Sequence, residues 1–250
     1  MEVHLPKPLH GWREFAGEVG IIVIGVLIAL GAEQVAAYFH QRAELREAEE
    51  AMTSELQDDD LPQAYTRAAV YNCYESQLDA IENAVSSGDR AKTTALAKAY
   101  KPVFRTWDDQ AWKAAVASQV LAEAGAKRTI DWSSGYILIP LLSEIAQQES
   151  DALSRLWANL SGQGPLSAEQ QDRLFEIISN LRVINGAMNI SSLVFMKMVG
   201  ERGLMLTPER ERALMVEARD KYGPCVTVPN VGVLNTASQL SYVNGMKPKR

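Results

Sequence analysis

The sequence predicts an all-α protein: a single N-terminal transmembrane helix, then a helical bundle of about five or six helices with an irregular C-terminal tail. Three observations lead there. One uncharged apolar run, Val19 to Ala32, lies near the start. Behind it, apolar residues recur at three- and four-residue spacing between helix start and stop signals. From Gly223-Pro224 onward that rhythm is lost. The expected organisation is a short cytoplasmic leader (1–14), a transmembrane helix (15–39), a juxtamembrane helix (40–57), a helical domain (58–223) and the tail (224–250).

The run VGIIVIGVLIALGA is short for a span by itself. Phe15-Ala16-Gly17 before it and Val35 to Phe39 after it lengthen it, at the cost of including Glu18 and Glu33. Trp12 and Tyr38 then lie about 39 Å apart along a helix, close to the separation of the two interfacial aromatic belts. A cleaved signal peptide is the main competitor, because Ala29-Leu30-Gly31 offers the small residues a signal peptidase reads. Against cleavage, acids outnumber bases in the leader, and Glu18 abuts the apolar run. The helical pattern also continues past the cut through Leu45, Ala48, Met52 and Leu56, so an uncleaved anchor is expected.

Lys7 and Arg13 before the span balance Arg42 and Arg46 after it, so the positive-inside rule decides little. The orientation expected here has the N-terminus inside, because a short leader followed by a long domain usually translocates the domain. At 100° per residue, Glu18, Gly25, Ala29, Ala32 and Ala36 project within about 40° of one line along the helix. Small residues there permit close approach of a second helix, from another copy or another membrane protein. Glu18 lies just inside the expected hydrocarbon boundary, where a carboxylate calls for a donor from a neighbouring helix.

The stretch Gly17 to Ala29, following Trp12-Arg13, resembles a family of bacterial single-pass inner-membrane proteins of uncharacterised function. These begin with a similar Gly-Glu-aliphatic-Ile-Gly-aliphatic-Leu-Ile-Ala segment. The resemblance covers about the first forty residues. It implies a bacterial inner-membrane protein and supplies no catalytic residue.

In the domain, Asp60 can cap a helix with Pro62 in its first turn and Leu61, Tyr65, Ala68, Tyr71, Leu78, Ile81 and Val85 on one face, ending at Gly88. Thr106-Trp107-Asp108-Asp109 reads as a capping box, with Asp in place of Glu, opening a helix to about Gly125. From Thr129 a long pattern carries Leu138, Leu141, Leu142, Ile145, Leu153, Leu156 and Leu160, and Pro140 should kink or divide it. Ser167 to Gln170 opens the most regular stretch, from Leu174 to Met198. Thr207-Pro208 starts a last helix that Gly223-Pro224 stops. Val226, Val228, Val231 and Val233 follow in extended or irregular chain.

Composition removes several function classes. A net charge of −6 and a pI near 5.2 argue against nucleic acid as a partner. The one basic run, Lys247-Pro248-Lys249-Arg250, reads as a solvated tail. All three histidines (His4, His10, His40) precede the helical domain, which excludes histidine-dependent triads and histidine-ligated metals there. Asp58-Asp59-Asp60 reads as a helix cap beside a solvated acidic loop, since no calcium-loop spacing follows. Trp107, Trp112, Trp132 and Trp157 read as core aromatics before they read as a sugar platform. Trp132-Ser133-Ser134-Gly135 lacks the setting of a nucleophile elbow. Asn185 falls on an apolar face, where a buried amide can pin helix register. Glu149-Ser150 resembles the catalytic pair of helical lytic transglycosylases, but Gly203-Leu204-Met205 lies too far on and Leu206 stands where Gln is expected.

The only two cysteines, Cys73 and Cys225, are expected to pair in an oxidising compartment. Cys73 lies about 140° around its helix from the Leu78 stripe, and Cys225 opens a tail that needs tying down. No catalytic residue, metal site or cofactor is assigned. The expected function is non-enzymatic: a membrane-anchored protein of the inner membrane whose periplasmic helical domain binds another envelope protein. The alternatives are a periplasmic small-ligand sensor acting through a partner and a peptidoglycan-cleaving glycosidase. A sensor would need that partner because the residues before about Phe15 are too few to fold into an output domain.

Overall fold

The computed structural model describes residues 11–103 and 106–233. The leader as far as His10 and the basic run Lys247 to Arg250 lie outside the described residues. Among the described residues there are nine α-helices and no strand. They are α1 (Trp12–Ser54), α2 (Leu61–Ala69), α3 (Tyr71–Ser86), α4 (Arg90–Ala99), α5 (Gln110–Ala117), α6 (Ala126–Tyr136), α7 (Ile139–Leu160), α8 (Ala168–Gly200) and α9 (Pro208–Tyr222). The class is as expected, with more helices in the bundle than five or six. The chain divides into two compact units, Met1–Glu47 and Ala48–Arg250.

In the first unit every residue from 21 to 40 is exposed. Ile21 is 75% exposed, Ile28 67% and Phe39 66%. Apolar side chains on all sides of one helix have no aqueous solution. The segment is long and apolar enough to cross a membrane. α8 meets the same test of length and composition, but its apolar window is half buried inside the second unit, which makes it a core helix.

The second unit is built around α8, which packs against α7, α2 and α3. Ser167 caps α8 through its side chain, and the Gln170 side chain returns the bond, so the capping box forms as the spacing implies. Leu174, Ile178, Leu181, Met188, Phe195 and Val199 then point into the core. Pro140 divides the long pattern after Thr129 by starting α7 within its first turn. Thr207 caps α9 by accepting from the Arg210 N–H.

The structure corrects three expectations. Asp60 does not cap a helix beside a loop. The helical chain runs on from α1 through a π-helical segment, Glu55–Asp60, into α2. Asp60 has helical backbone angles, makes no side-chain cap bond and is buried, while Asp58 and Asp59 are exposed. Leu56, Leu61 and Ala64 are buried, and their apolar contacts outweigh the local capping preference of aspartate. Thr106 opens no helix: α5 begins at Gln110 and ends at Ala117, before Gln119 takes a left-handed conformation (φ 61°). A short 3-10 turn, Val120–Ala124, replaces the helix expected as far as Gly125.

The third correction is α4, which the apolar pattern did not reveal. Asp89 caps it by accepting from the Lys92 N–H. Its first residue, Arg90, is buried and donates to the carbonyls of Leu160, Ser161 and Gly164 and to Gln170 Oε1. A cation on the last carbonyls of α7 suits the negative end of the helix dipole. It also fixes the connection from α7 to α8, where Gly162 has a φ of +118°.

Candidate functional site

On α1, Glu18, Gly25, Ala29, Ala32 and Ala36 are all exposed. A Cβ added at Gly25 would meet nothing within 4 Å. The helix is unbroken through these positions, so they share one line along it.

Cys73 and Cys225 form a disulfide with Cα atoms 5.1 Å apart. Cys73 is buried, and the tail from Cys225 to Thr227 lies against that part of α3. Beyond the disulfide, Thr227 N–H donates to the Ala69 carbonyl and Val226 is buried. The start of the irregular tail is thereby held against α2 and α3. Next to the bridge, the Tyr74 hydroxyl donates to that of Tyr222 (3.3 Å), and Tyr222 donates onward to the Lys101 carbonyl. Val103 N–H donates to Tyr74 Oη at 2.8 Å, and the Tyr74 and Tyr100 rings meet at 5.4 Å. Burial pushes both phenols above their ordinary pKa, so they stay neutral.

The same cluster holds a buried ion pair. Arg67 Nη2 donates to Glu149 Oε1 at 2.9 Å, with side chains only 2% and 3% exposed. The guanidinium also sits over the Tyr74 ring, 5.1 Å from its centre. Burial opposes the Arg67 charge, and Glu149 together with Tyr74 and Tyr100 more than offsets that, so its pKa lies above the ordinary value. Glu149 is the carboxylate a glycosidase would need. A general acid must reach substrate, whereas Glu149 is enclosed and engaged by a permanent cation. Sequence reading placed Glu149 only as half of an enzyme-like pair and passed over Arg67. The missed signal is that Glu149 occupies a core position in the series Leu142, Ile145, Glu149, Ala152, Leu156.

A second buried polar centre lies on the π-helical segment. Glu55 and Asp60 face inward, and Asp60 is 1% exposed. Asp60 accepts the Asp108 N–H just before α5, and Glu55 accepts the Ala111 N–H in the first turn of α5. Among the described residues, no group of three or more His, Cys, Asp or Glu is placed to hold a metal ion.

The tryptophans do not converge on a common platform. Trp107 is buried edge-on against Phe195, and Trp112 stacks on Tyr136 at 5.6 Å. Trp132 Nε1 donates to Glu49, and Trp157 stands partly exposed on α7. Ser133 and Ser134 lie within α6 and donate to carbonyls of their own helix. Asn185 is buried and donates to Glu75 Oε1, while Arg182 one turn earlier pairs with Glu75, Asp79 and Glu82. These contacts set the register of α8 against α3.

One cleft of about 140 Å³ opens between α2 and α9. Gln63, Thr66, Glu217, Lys221 and Tyr222 supply its polar lining, and Leu214 and Val103 its apolar lining. Comparison with protein-family models, with curated proteins and with solved structures finds no match to the chain.

Proposed function

We propose that the chain is a non-enzymatic membrane protein of the bacterial inner membrane, with its N-terminus cytoplasmic and its helical domain periplasmic, where that domain binds another envelope protein. The supporting observation is the apolar stretch of α1, exposed on every side between Trp12 and Tyr38. Such a surface needs lipid. The disulfide fits an oxidising compartment outside the cytoplasm. Two deeply buried ionisable side chains of the domain, Arg67 and Glu149, are spent on each other, which suits a scaffold more than a reaction centre. Protease added to spheroplasts should digest the helical domain and leave the N-terminus shielded. Recovery of a mature chain beginning at Ala32, released from the membrane, would overturn the anchored reading.

The membrane-embedded contact is the line of Glu18, Gly25, Ala29, Ala32 and Ala36, facing a second copy or another subunit. Co-purification from detergent-solubilised membrane, with cross-linking in native membranes, tests the partner. A stable stoichiometric partner is expected, and its complete absence would count against the reading. Replacing Gly25 and Ala29 together by isoleucine should abolish the cross-linked species while leaving insertion intact, since isoleucine is apolar but too bulky for close approach. Glu18→Gln should weaken it less, because an amide still hydrogen-bonds. An identical cross-linked species in wild type and the isoleucine variant would exclude this face as an interface.

A small-ligand sensor is the second reading, supported by the cleft between α2 and α9 with its mixed polar lining. Retention of a small molecule through purification, lost on filling the cleft by Ala218→Trp, would favour it over the partner reading.

A further inference from the structure

The π-helical segment encloses two carboxyls that form no ion pair with a Lys or Arg among the described residues. Glu55 and Asp60 are five residues apart and lie on one face of a wide turn, a geometry often found at functional positions. Each gives one oxygen to the same short stretch of chain. Asp60 Oδ1 accepts from Asp108 N–H at 3.3 Å, and Glu55 Oε2 accepts from Ala111 N–H at 2.9 Å. The other oxygen of each, Asp60 Oδ2 and Glu55 Oε1, is buried with no hydrogen-bond partner among the described residues.

The charged groups acting most strongly on Asp60 are all acidic: Glu55 and Asp59 on its own segment, and Asp108 on the stretch opposite. α6 contributes Tyr136, which faces Glu55, Asp60 and Asp108 and donates to the Met52 carbonyl at 3.1 Å. α2, packed against the segment, carries Tyr65 and Arg67 as its ionisable groups. Arg67 faces Glu149, and Tyr65 faces Glu211 and Arg219. A proton on Asp60 Oδ2 removes one of the crowded negative charges, with the Tyr136 phenol as the hydrogen-bonding neighbour of Glu55.

The geometry points to a proton-held latch: Asp60 and Glu55 fasten residues 106–117 to the helical domain while Asp60 carries its proton, and release them when it is lost. The release is a simple ionisation. The Oδ2–H bond breaks, the proton leaves to water or a buffer base, and the electron pair stays on the carboxylate. A single amide bond from Asp108 does not compensate a buried charge beside three other acids, so the carboxylate turns to water and the stretch lifts. Burial pushes the Asp60 carboxyl up to about 8 from 3.8, with Glu55, Asp108 and Asp59 adding to the rise against the Asp108 amide. A raised carboxyl pKa stabilises the closed latch fully below the ordinary value of 3.8, and that contribution is lost as pH rises through about 8. The stretch carries Trp107 against Phe195 and Trp112 against Tyr136, so release uncovers aromatic surface.

Hydrogen exchange read by mass spectrometry on the full chain in detergent, corrected for intrinsic exchange, tests this between about pH 5 and pH 9.5. Protection of the 106–117 peptide should fall by up to about tenfold per pH unit and level off above about pH 8, with peptides of α8 unchanged. Asp60→Asn keeps an oxygen for the Asp108 amide and cannot ionise, so its protection should stay flat. Glu55→Gln removes the foremost like charge and should move the wild-type transition to lower pH. That variant also keeps the test decisive where Asp60→Asn does not fold. Flat protection in wild type, or an unshifted transition in both variants, would overturn the latch. So would protection restored at about pH 9 by millimolar magnesium or calcium, which would make the Glu55 and Asp60 carboxylates a cation site instead.

Discussion

Replacing Glu149 with alanine is expected to destabilise the helical domain by about 3–5 kcal/mol, because it strands the Arg67 charge in the core. Arg67 Nη2 has Glu149 Oε1 as its partner at 2.9 Å, and Arg67 Nη1 already has none among the described residues. The guanidinium cannot shed its charge at any working pH, and its remaining compensation is the Tyr74 ring. Urea unfolding of the full chain in detergent, followed by circular dichroism, measures the loss. The double variant Arg67→Met with Glu149→Met should recover most of it, since removing both charges removes the desolvation cost together with the attraction. A loss for Glu149→Ala below about 1 kcal/mol, the scale of an exposed pair, would show that water reaches the site. The same experiment bears on chemistry, because a carboxylate so strongly committed to the fold is a poor candidate for general acid catalysis.

Cys73→Ala combined with Cys225→Ala should cost about 2–5 kcal/mol, the usual range for a native disulfide. The two cysteines are 152 residues apart in sequence, so the bridge closes a very long loop in the unfolded chain. Chain entropy for such a loop sets an upper guide of about 5 kcal/mol. The loss should be felt first at α9 and the tail, where the bridge backs the Tyr74–Tyr222 contact and the Thr227–Ala69 bond. Thermal unfolding with and without reductant checks it. Wild type in reductant should match the double alanine variant, with a melting temperature lower by about 5–15 °C. No shift with reductant, in protein shown to be reduced, would sink the prediction. Early loss of α9 protection, before α8 opens, should accompany the shift.

Helix starts were legible where one side chain does a local job. Ser167 and Thr207 cap α8 and α9 because the bonds they make reach only three residues ahead. Pro140 divides α6 from α7 for an equally local reason, the missing N–H and the clash with the preceding turn. The same reasoning failed at Asp60 and Thr106. There the competing contacts come from Asp108, Ala111 and Tyr136, which no window of sequence around residue 60 contains. α4 was missed because its buried face is small, with Thr93 and Ala97, and depends on an arginine instead of a leucine stripe.

The sequence by itself determined the all-helical class, the place of the long apolar helix, the line of Glu18, Gly25, Ala29, Ala32 and Ala36 along it, and the existence of a single possible intrachain disulfide. Periodicity, uninterrupted apolar length and a count of cysteines are properties of neighbours in the chain. Only the tertiary structure decided that Glu149 is a core ion-pair partner, that Asp60 is a buried acid in a π-helical turn, and that Cys73 lies beneath the chain that follows α9. Burial is set by residues far away in sequence. Asp60 meets Asp108, and Arg67 meets Glu149, only after the helices have packed. A carboxyl carries no mark in the sequence of whether it will face water or a core.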